Sequence, residues 1–101
     1  MYRGSTPTCT IGVDRDLRNM RVFITFKQGK ISFEKTNEQI TINENSLEIP
    51  LSQEETLSLE SSGTHVQIQI RAITSGGVAI VSNIMNETVE AVLKEGMIAY
   101  D

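Results

Sequence analysis

Two-residue alternation of apolar and polar side chains is the strongest pattern in this sequence. In residues 20–27, Val22, Ile24 and Phe26 fall on one face of an extended chain, and residues 65–72 repeat the pattern. Because successive side chains of a strand point to opposite faces of a sheet, each run predicts a strand with one buried face. Further alternating runs cover residues 8–13, 30–36, 38–43, 46–51 and 78–84.

Turn residues separate these runs at short intervals. Gln28-Gly29 lies between the second and third runs, and Ser75-Gly76-Gly77 follows the long sixth run, so each pair of flanking runs predicts an antiparallel hairpin. Asn43-Glu44-Asn45 predicts another turn. Pro50 lacks an amide donor and therefore indicates a strand end or an exposed edge.

One short helix and one ambiguous segment complete the pattern. Ser52 precedes Glu55 by three residues, the spacing of a capping box, which predicts a single helical turn over residues 52–57. In residues 86–93, the positions of Val89, Val92 and Leu93 fit helical spacing about as well as alternation. A strand is favoured over an amphipathic turn for this segment.

These elements predict an all-β fold in one domain spanning residues 1–101. Residues that favour strands are abundant, with 12 Ile, 7 Val and 10 Thr, whereas Ala appears four times. Seven or eight short strands with one short helical turn near residues 52–57 indicate a two-sheet sandwich of immunoglobulin-like type. A small antiparallel barrel is the alternative.

Charge argues against nucleic acid as a partner. The net charge is −4, and no block of basic residues interleaved with aromatics opposes it locally. Residues 1–50 carry +1 and residues 51–101 carry −5, and we expect strands from both halves to mix these charges over one surface. No apolar run reaches 18 residues and the first residues lack a signal peptide, so we expect no membrane span and no secretion by such a peptide.

The chemistry available to an enzyme or a metal site is sparse. His65 is the only histidine and begins the sixth strand, where a solvated side chain is the favoured interpretation. Cys9 alternates with Ile11 and Val13, which indicates a buried, unreactive thiol. The pair Glu54-Glu55 is explained by helix capping. We therefore predict a protein that is not an enzyme, with no catalytic residues, cofactor or metal.

A candidate partner contact lies in the segment that enters the second strand. Arg15, Arg18 and Arg21 recur every three residues and, together with Arg3, could form a basic patch. The alternative is a charged loop that faces only solvent. The three arginines are the candidate site that the sequence offers.

Five segments together resemble a family of small proteins encoded by phages and prophages of Gram-positive bacteria. The segments are Met1–Thr8, Leu51–Leu57, Val66–Arg71, Ser82–Ile84 and Leu93–Ile98. Family members look like virion or tail-module components and are distantly similar to the immunoglobulin-like module that begins phage baseplate proteins. The sequence departs from the family pattern at Cys9 and in residues 99–101. The resemblance implies a setting and no active residue.

From this resemblance we expect a non-enzymatic structural or accessory protein of a tail, baseplate or other virion part. Its partners would be other virion proteins or further copies of itself, in the bacterial cytoplasm or the virion. The alternative is a soluble module that binds a host protein or glycan. We also expect Pro50 to protect one sheet edge and the first and last strands to be poorly protected.

Overall fold

The computed structural model describes residues 1–61 and 65–100. In these ranges the chain forms eight strands, the six-residue helix α1 and a 3₁₀ turn at Asn37–Gln39. The predicted all-β sandwich with a short helix near residues 52–57 is confirmed. The strands are β1 Thr8–Gly12, β2 Arg21–Gln28, β3 Ile31–Thr36, β4 Thr41–Ile42, β5 Ser46–Pro50, β6 Val66–Ile73, β7 Ala79–Val81 and β8 Met85–Glu87, and α1 is Gln53–Ser58.

The strands form two antiparallel sheets. The smaller sheet has the order β1-β5-β4. The larger sheet has the order β3-β2-β6, and the far side of β6 pairs with β8 along residues 66–68 and with β7 along residues 71–73. Because the strands form two separate sheets, the alternative of a small antiparallel barrel is wrong. Strands from both halves of the sequence lie side by side in the larger sheet.

The core lies between the two sheets. On β2, Val22, Ile24 and Phe26 are fully buried, as are Leu47 and Ile49 on β5. The Phe33 ring stacks on that of Phe26 with 4.9 Å between ring centroids. Each large apolar side chain buried in this way contributes roughly 1.5–3 kcal/mol of transfer free energy. The inward faces that alternation predicts for β1, β2, β3 and β6 are therefore the faces that hold the fold together.

The first predicted hairpin has a two-residue turn. Gln28 pairs with Ile31, which leaves Gly29 and Lys30 as the loop. Gly29 has φ +60°, and the loop's second residue does not have a positive φ. This combination is typical of a type II′ turn, whose twist matches that of the flanking strands and whose first position favours glycine. The predicted hairpin of β6 and β7 is also confirmed.

The predicted strand over residues 38–43 is only partly present. Its first half is the 3₁₀ turn, and only Thr41–Ile42 are strand. The Asn37 side chain explains the break, since its Oδ1 accepts from the Val22 amide at 2.7 Å and its Nδ2 donates to the Met20 carbonyl at 2.9 Å. The segment that begins at Asn37 is thus attached to the start of β2 through a side chain and not through the backbone hydrogen bonds of a strand pair.

The strand favoured for residues 86–93 is also shorter than predicted. β8 ends at Glu87, and the next residues have no regular structure, although Val89 is buried and Glu90 forms an isolated parallel bridge with Tyr2. The Arg3 amide donates to the Glu90 carbonyl, and the Glu90 amide donates to the Met1 carbonyl. Pairing with the first residues therefore replaces continued pairing with β6.

The prediction that Pro50 protects a sheet edge is wrong. Pro50 ends β5, which is the central strand of its sheet. The register of β4 on β5 pairs Thr41 with Glu48, so β4 has already ended at the level of Pro50. The missing amide therefore costs no ladder bond. The edge strands of this sheet are β1 and β4, and β1 carries no proline within its bounds.

Candidate protein-contact site

A groove runs along one side of the sandwich, between the free edge of β1 and the edge formed by β7 and β8. It consists of two adjoining depressions of about 670 Å³ and 600 Å³, which share Ile11, Gly12 and Met85 in their linings. Apolar side chains from both sheets form its floor, among them Leu17, Ile70 and Ile80. The groove exists because, among residues 1–61 and 65–100, no strand closes the sandwich between these two edges.

The backbone of β1 presents groups to the groove that pair with no other strand of the described residues. The Leu51 amide donates to the Pro7 carbonyl and the Val13 amide to the Asn45 carbonyl, both at 2.9 Å, which fixes the register at each end of β1. Backbone groups of an antiparallel strand point alternately to its two sides. The backbone N–H and C=O groups of residues 9 and 11 therefore point to β5 and form the hydrogen bonds of the ladder. The groups that point to the open side belong to Thr8, Thr10 and Gly12.

The opposite rim of the groove is interrupted at Ser82. The Ser82 amide donates to the Ile70 carbonyl at 2.8 Å, and the Ser82 Oγ accepts from the Ile70 amide at 2.9 Å. A side-chain oxygen thus takes the place of a backbone carbonyl, and regular pairing with β6 stops between β7 and β8. Beside this break, Val81 and Ile84 are 61% and 54% exposed. The rim therefore offers apolar side chains to solvent.

The outer face of the larger sheet does not form a comparable site. Arg71 lies over the Phe23 ring, 5.5 Å from its centroid, and donates to the Glu34 carboxylate at 2.8 Å. Thr25 Oγ1 also donates to Glu34, at 3.3 Å. These side chains partner one another across β2, β3 and β6, so the polar groups at the centre of this face are engaged with each other.

The three predicted contact arginines have different surroundings. Arg18 makes a bidentate ion pair with Asp16, which lowers the pKa of Asp16 and raises that of Arg18. Arg21 pairs with Glu38 at 3.2 Å. Arg15 is exposed, lines the groove and has no ion pair within residues 1–61 and 65–100. Of the three, Arg15 is the cation that a partner could reach without competition from a carboxylate.

Arg3, the fourth member of the suggested patch, has an internal role. Its guanidinium donates to the carbonyls of Leu57 and Leu59 at 2.8 Å and 2.6 Å and forms an ion pair with Glu95. These carbonyls lie at the C-terminal end of α1, where helical carbonyls lack intrahelical partners and a cation is favourable. Arg3 thus ties the first residues to α1 and to the C-terminal segment.

The residues considered for catalysis lie on or next to different elements of the fold. His65 is exposed, as predicted. Cys9 faces inward but is half-buried, and it lines the smaller depression. Burial raises the pKa of the Cys9 thiol, and the nearby Glu87 carboxylate raises it further. In the capping box, Ser52 Oγ accepts from the Glu55 amide at 3.1 Å, and the Ser52 amide donates to Glu55 Oε1 at 2.8 Å. Capping thus explains Glu55, as predicted.

Sequence reasoning missed a set of buried polar side chains. Lys35 is 7% exposed and its Nζ lies 2.7 Å from Glu55 Oε1, while Gln28 bonds the Glu60 amide and carbonyl at 2.6 Å and 2.8 Å. The alternating pattern could have revealed these residues. Lys35 lies two residues after the inward Phe33 and Gln28 lies two residues after the inward Phe26, so both fall on the inward face of their strands. A polar residue at an inward position of a strand predicts a buried partner elsewhere.

Comparisons with family models, curated proteins and solved structures find no match for this chain. In the described ranges, no helix is long and apolar enough to span a membrane. Those same ranges contain no cluster of three or more histidine, cysteine, aspartate or glutamate side chains placed to hold a metal ion. The groove is therefore the feature on which a functional proposal rests.

Proposed function

We propose that this protein is a non-enzymatic structural or accessory component of a phage or prophage particle, in a tail, baseplate or other virion part, and that it acts through protein-protein contacts. One observation carries the proposal: the groove places an edge of β1 that no described strand pairs with beside an apolar floor. A strand edge of this kind can accept an extended segment of another chain through main-chain hydrogen bonds, while pockets beside it accept alternate side chains.

The composition of the groove supports a protein partner. Its floor is apolar, and its rim carries polar groups such as Asp14, Arg15 and Asn83. An apolar centre with a polar rim is the usual arrangement of a protein interface. The phage setting itself is supported by the resemblance of the five sequence segments. In that setting the chain would be made in the bacterial cytoplasm and incorporated into the particle.

Particle composition tests this proposal. A lysogen that encodes the protein is induced, intact particles are purified on a density gradient, and the protein is quantified by mass spectrometry together with a known capsid protein. We expect the protein to sediment with intact particles at a constant ratio to the capsid protein. Consistent absence from particles that are otherwise complete would contradict a structural role.

A second candidate is a soluble module that recognises a host protein or glycan. It is favoured by one observation, the exposed Arg15 at the groove, which has no ion pair in the part of the chain that the structure describes. Pull-down from host lysate with the wild type and with the Arg15→Ala/Arg18→Ala/Arg21→Ala variant separates the candidates. Lys27→Ala, which removes an exposed cation from β2, is the matched control. Equal recovery of every host component by all three proteins would exclude this contact.

A further inference from the structure

The C-terminal segment carries apolar side chains that the described fold does not cover. Leu93 and Tyr100 are fully exposed, Met97 is 61% exposed and Ile98 is 73% exposed. Residues 91–100 belong to no strand or helix. Exposed apolar groups concentrated in one irregular segment indicate a surface that is buried in a complex.

Two side chains hold the segment against its own domain: Arg3, through its ion pair with Glu95, and Gln53, through Ile98. Gln53 of α1 accepts from the Ile98 amide at 2.6 Å and donates to the Ile98 carbonyl at 3.0 Å. Both backbone groups of Ile98 therefore face Gln53, as they would face a neighbouring strand. If residues 97–99 adopt an extended conformation, neighbouring backbone groups alternate in direction, so those of Met97 and Ala99 point away from Gln53. In that conformation the segment presents a strand edge of its own.

From these two free edges we infer that the C-terminal segment of one copy adds to β1 of a second copy as an antiparallel strand and fills the groove. This inference rests on the proposed assembly function and names the partner. Pairing of Met97 and Ala99 with the free groups of β1 puts their side chains on the outer face, together with Thr8 and Thr10. Pleating then directs Ile98 and Tyr100 into the groove, so backbone pairing and apolar burial are satisfied by one register.

The area available matches that of a stable association. If two copies exchange segments, the inserted Ile98 and Tyr100 side chains of each segment, the paired backbone and the groove surface beneath them together remove on the order of 1,500 Å² from water, which is the size of a standard specific interface. Exchange in which each copy both gives and receives a segment forms a closed dimer. If the geometry prevents a closed dimer, each copy gives its segment to the next copy and the same contact forms an open chain of copies.

Solution mass tests the inference with variants of the full chain. Sedimentation equilibrium is measured over a hundredfold range of concentration for the wild type, Thr10→Pro and Ile98→Asp/Tyr100→Asp. Thr10→Pro removes one amide from the open edge and leaves the β1–β5 ladder intact. The aspartate pair alters only exposed side chains. We expect the wild type to associate at micromolar concentration and both variants to associate at least tenfold more weakly.

Ser32→Pro is the matched control. Ser32 is exposed on β3, at the opposite edge of the larger sheet, and the Gln28–Ile31 pair places its amide on the unpaired side. We expect Ser32→Pro to associate like the wild type. Mixing supplies a second test, because Thr10→Pro retains a competent segment and Ile98→Asp/Tyr100→Asp retains a competent groove. An equimolar mixture is expected to form a heterodimer through one intact contact and therefore to associate more strongly than either variant alone.

The accessibility of Cys9 separates a second copy from the same copy as the source of the segment. Cys9 lines the groove, so an inserted strand is expected to slow the reaction of its thiol with a thiol reagent. At high concentration of the wild type, the labelling rate is expected to fall at least threefold. The labelling rate of the aspartate variant is expected not to fall. Slow labelling that is independent of concentration, with a monomeric mass, would show insertion within one chain and overturn the inference. A strictly monomeric wild type that labels as fast as the variant would also overturn it.

The inference and the proposed function can fail separately. A monomeric protein that still sediments with particles refutes only this contact between copies. A protein that dimerises but is absent from particles refutes only the proposed function.

Discussion

Three polar side chains inside the sandwich, Lys35, Thr56 and Gln28, have partners that connect distant parts of the chain. The Lys35–Glu55 ion pair links β3 to α1, and Gln28 links β2 to the backbone that follows α1. Thr56 is completely buried, and its Oγ1 accepts from the Gly4 amide and donates to the Ser5 carbonyl. Loss of one partner from a buried polar pair costs more than loss of both.

Glu55→Gln is expected to lower the free energy of unfolding by about 2 kcal/mol, because it leaves the Lys35 ammonium buried without a counter-charge. Glutamine keeps an acceptor for the Ser52 amide, so the capping box is retained. The double variant Lys35→Met/Glu55→Gln is expected to recover most of this loss. Urea unfolding measures all three proteins. A double variant less stable than Glu55→Gln would contradict this account of the pair.

The same pair predicts a dependence on acid. Burial by itself raises the pKa of Glu55, but hydrogen bonds from Lys35 and Ser52 outweigh it and hold the pKa below its ordinary value of 4.5. A lowered folded-state pKa contributes stability that is present above pH 4.5 and is lost as the pH falls through the folded-state value. Unfolding measured from pH 6 to pH 3 is expected to show a smaller loss for the double variant than for the wild type. Equal slopes would exclude Glu55 as a contributor.

Thr56→Val tests the attachment of the first residues. Valine preserves the shape of threonine but leaves the Gly4 amide and the Ser5 carbonyl without their partner, which is expected to cost about 2 kcal/mol. Thr41→Val, at an exposed position on β4, is the control and is expected to change stability by less than about 0.5 kcal/mol. Chemical denaturation gives both values. Similar effects of the two substitutions would contradict the role of Thr56.

At the scale of elements, alternation and turn residues predicted the strands that have a buried face. β2, β3, β5 and β6 lie within two residues of their predicted bounds because their apolar faces meet the core. The failures occur where other hydrogen bonds, from a side chain or from a different stretch of backbone, replace the expected ladder bonds. Asn37 stops the strand predicted from residue 38, and pairing of Glu90 with the first residues stops the strand predicted to residue 93. Neither contact changes the local periodicity from which the strands were predicted.

Gly29→Ala tests the turn of the first hairpin. Gly29 has φ +60° and nothing lies within 4 Å of an added Cβ, so the substitution introduces backbone strain without a clash. We expect a loss of about 1 kcal/mol. Gly76→Ala is the control, because Gly76 lies in the other hairpin turn without a positive φ and its added Cβ would make only ordinary contact with Thr74. Equal stability of the two variants would argue against the type II′ turn.

At the scale of the whole molecule, the groove could not be predicted from the sequence. Alternation indicated poorly protected first and last strands, and both β1 and β8 do lie at sheet edges. The order of the strands, however, depends on contacts distant in sequence, and these decide that the edges of β1 and of β7–β8 face each other across the open side. The arginines every three residues suggested a patch, yet local carboxylates pair two of them.

The measurement that tests the central claim most directly is the number of copies per intact particle for Val81→Glu and Val78→Glu. Val81 lines the groove and is 61% exposed, while Val78 lies outside it in the β6–β7 turn and is 58% exposed. Both substitutions add the same charge at similarly exposed positions. If the groove is the contact surface, the copy number of the Val81→Glu variant falls to less than a tenth of the wild-type value. The copy number of the Val78→Glu variant stays at the wild-type level. Equal copy numbers for the two variants would contradict the account.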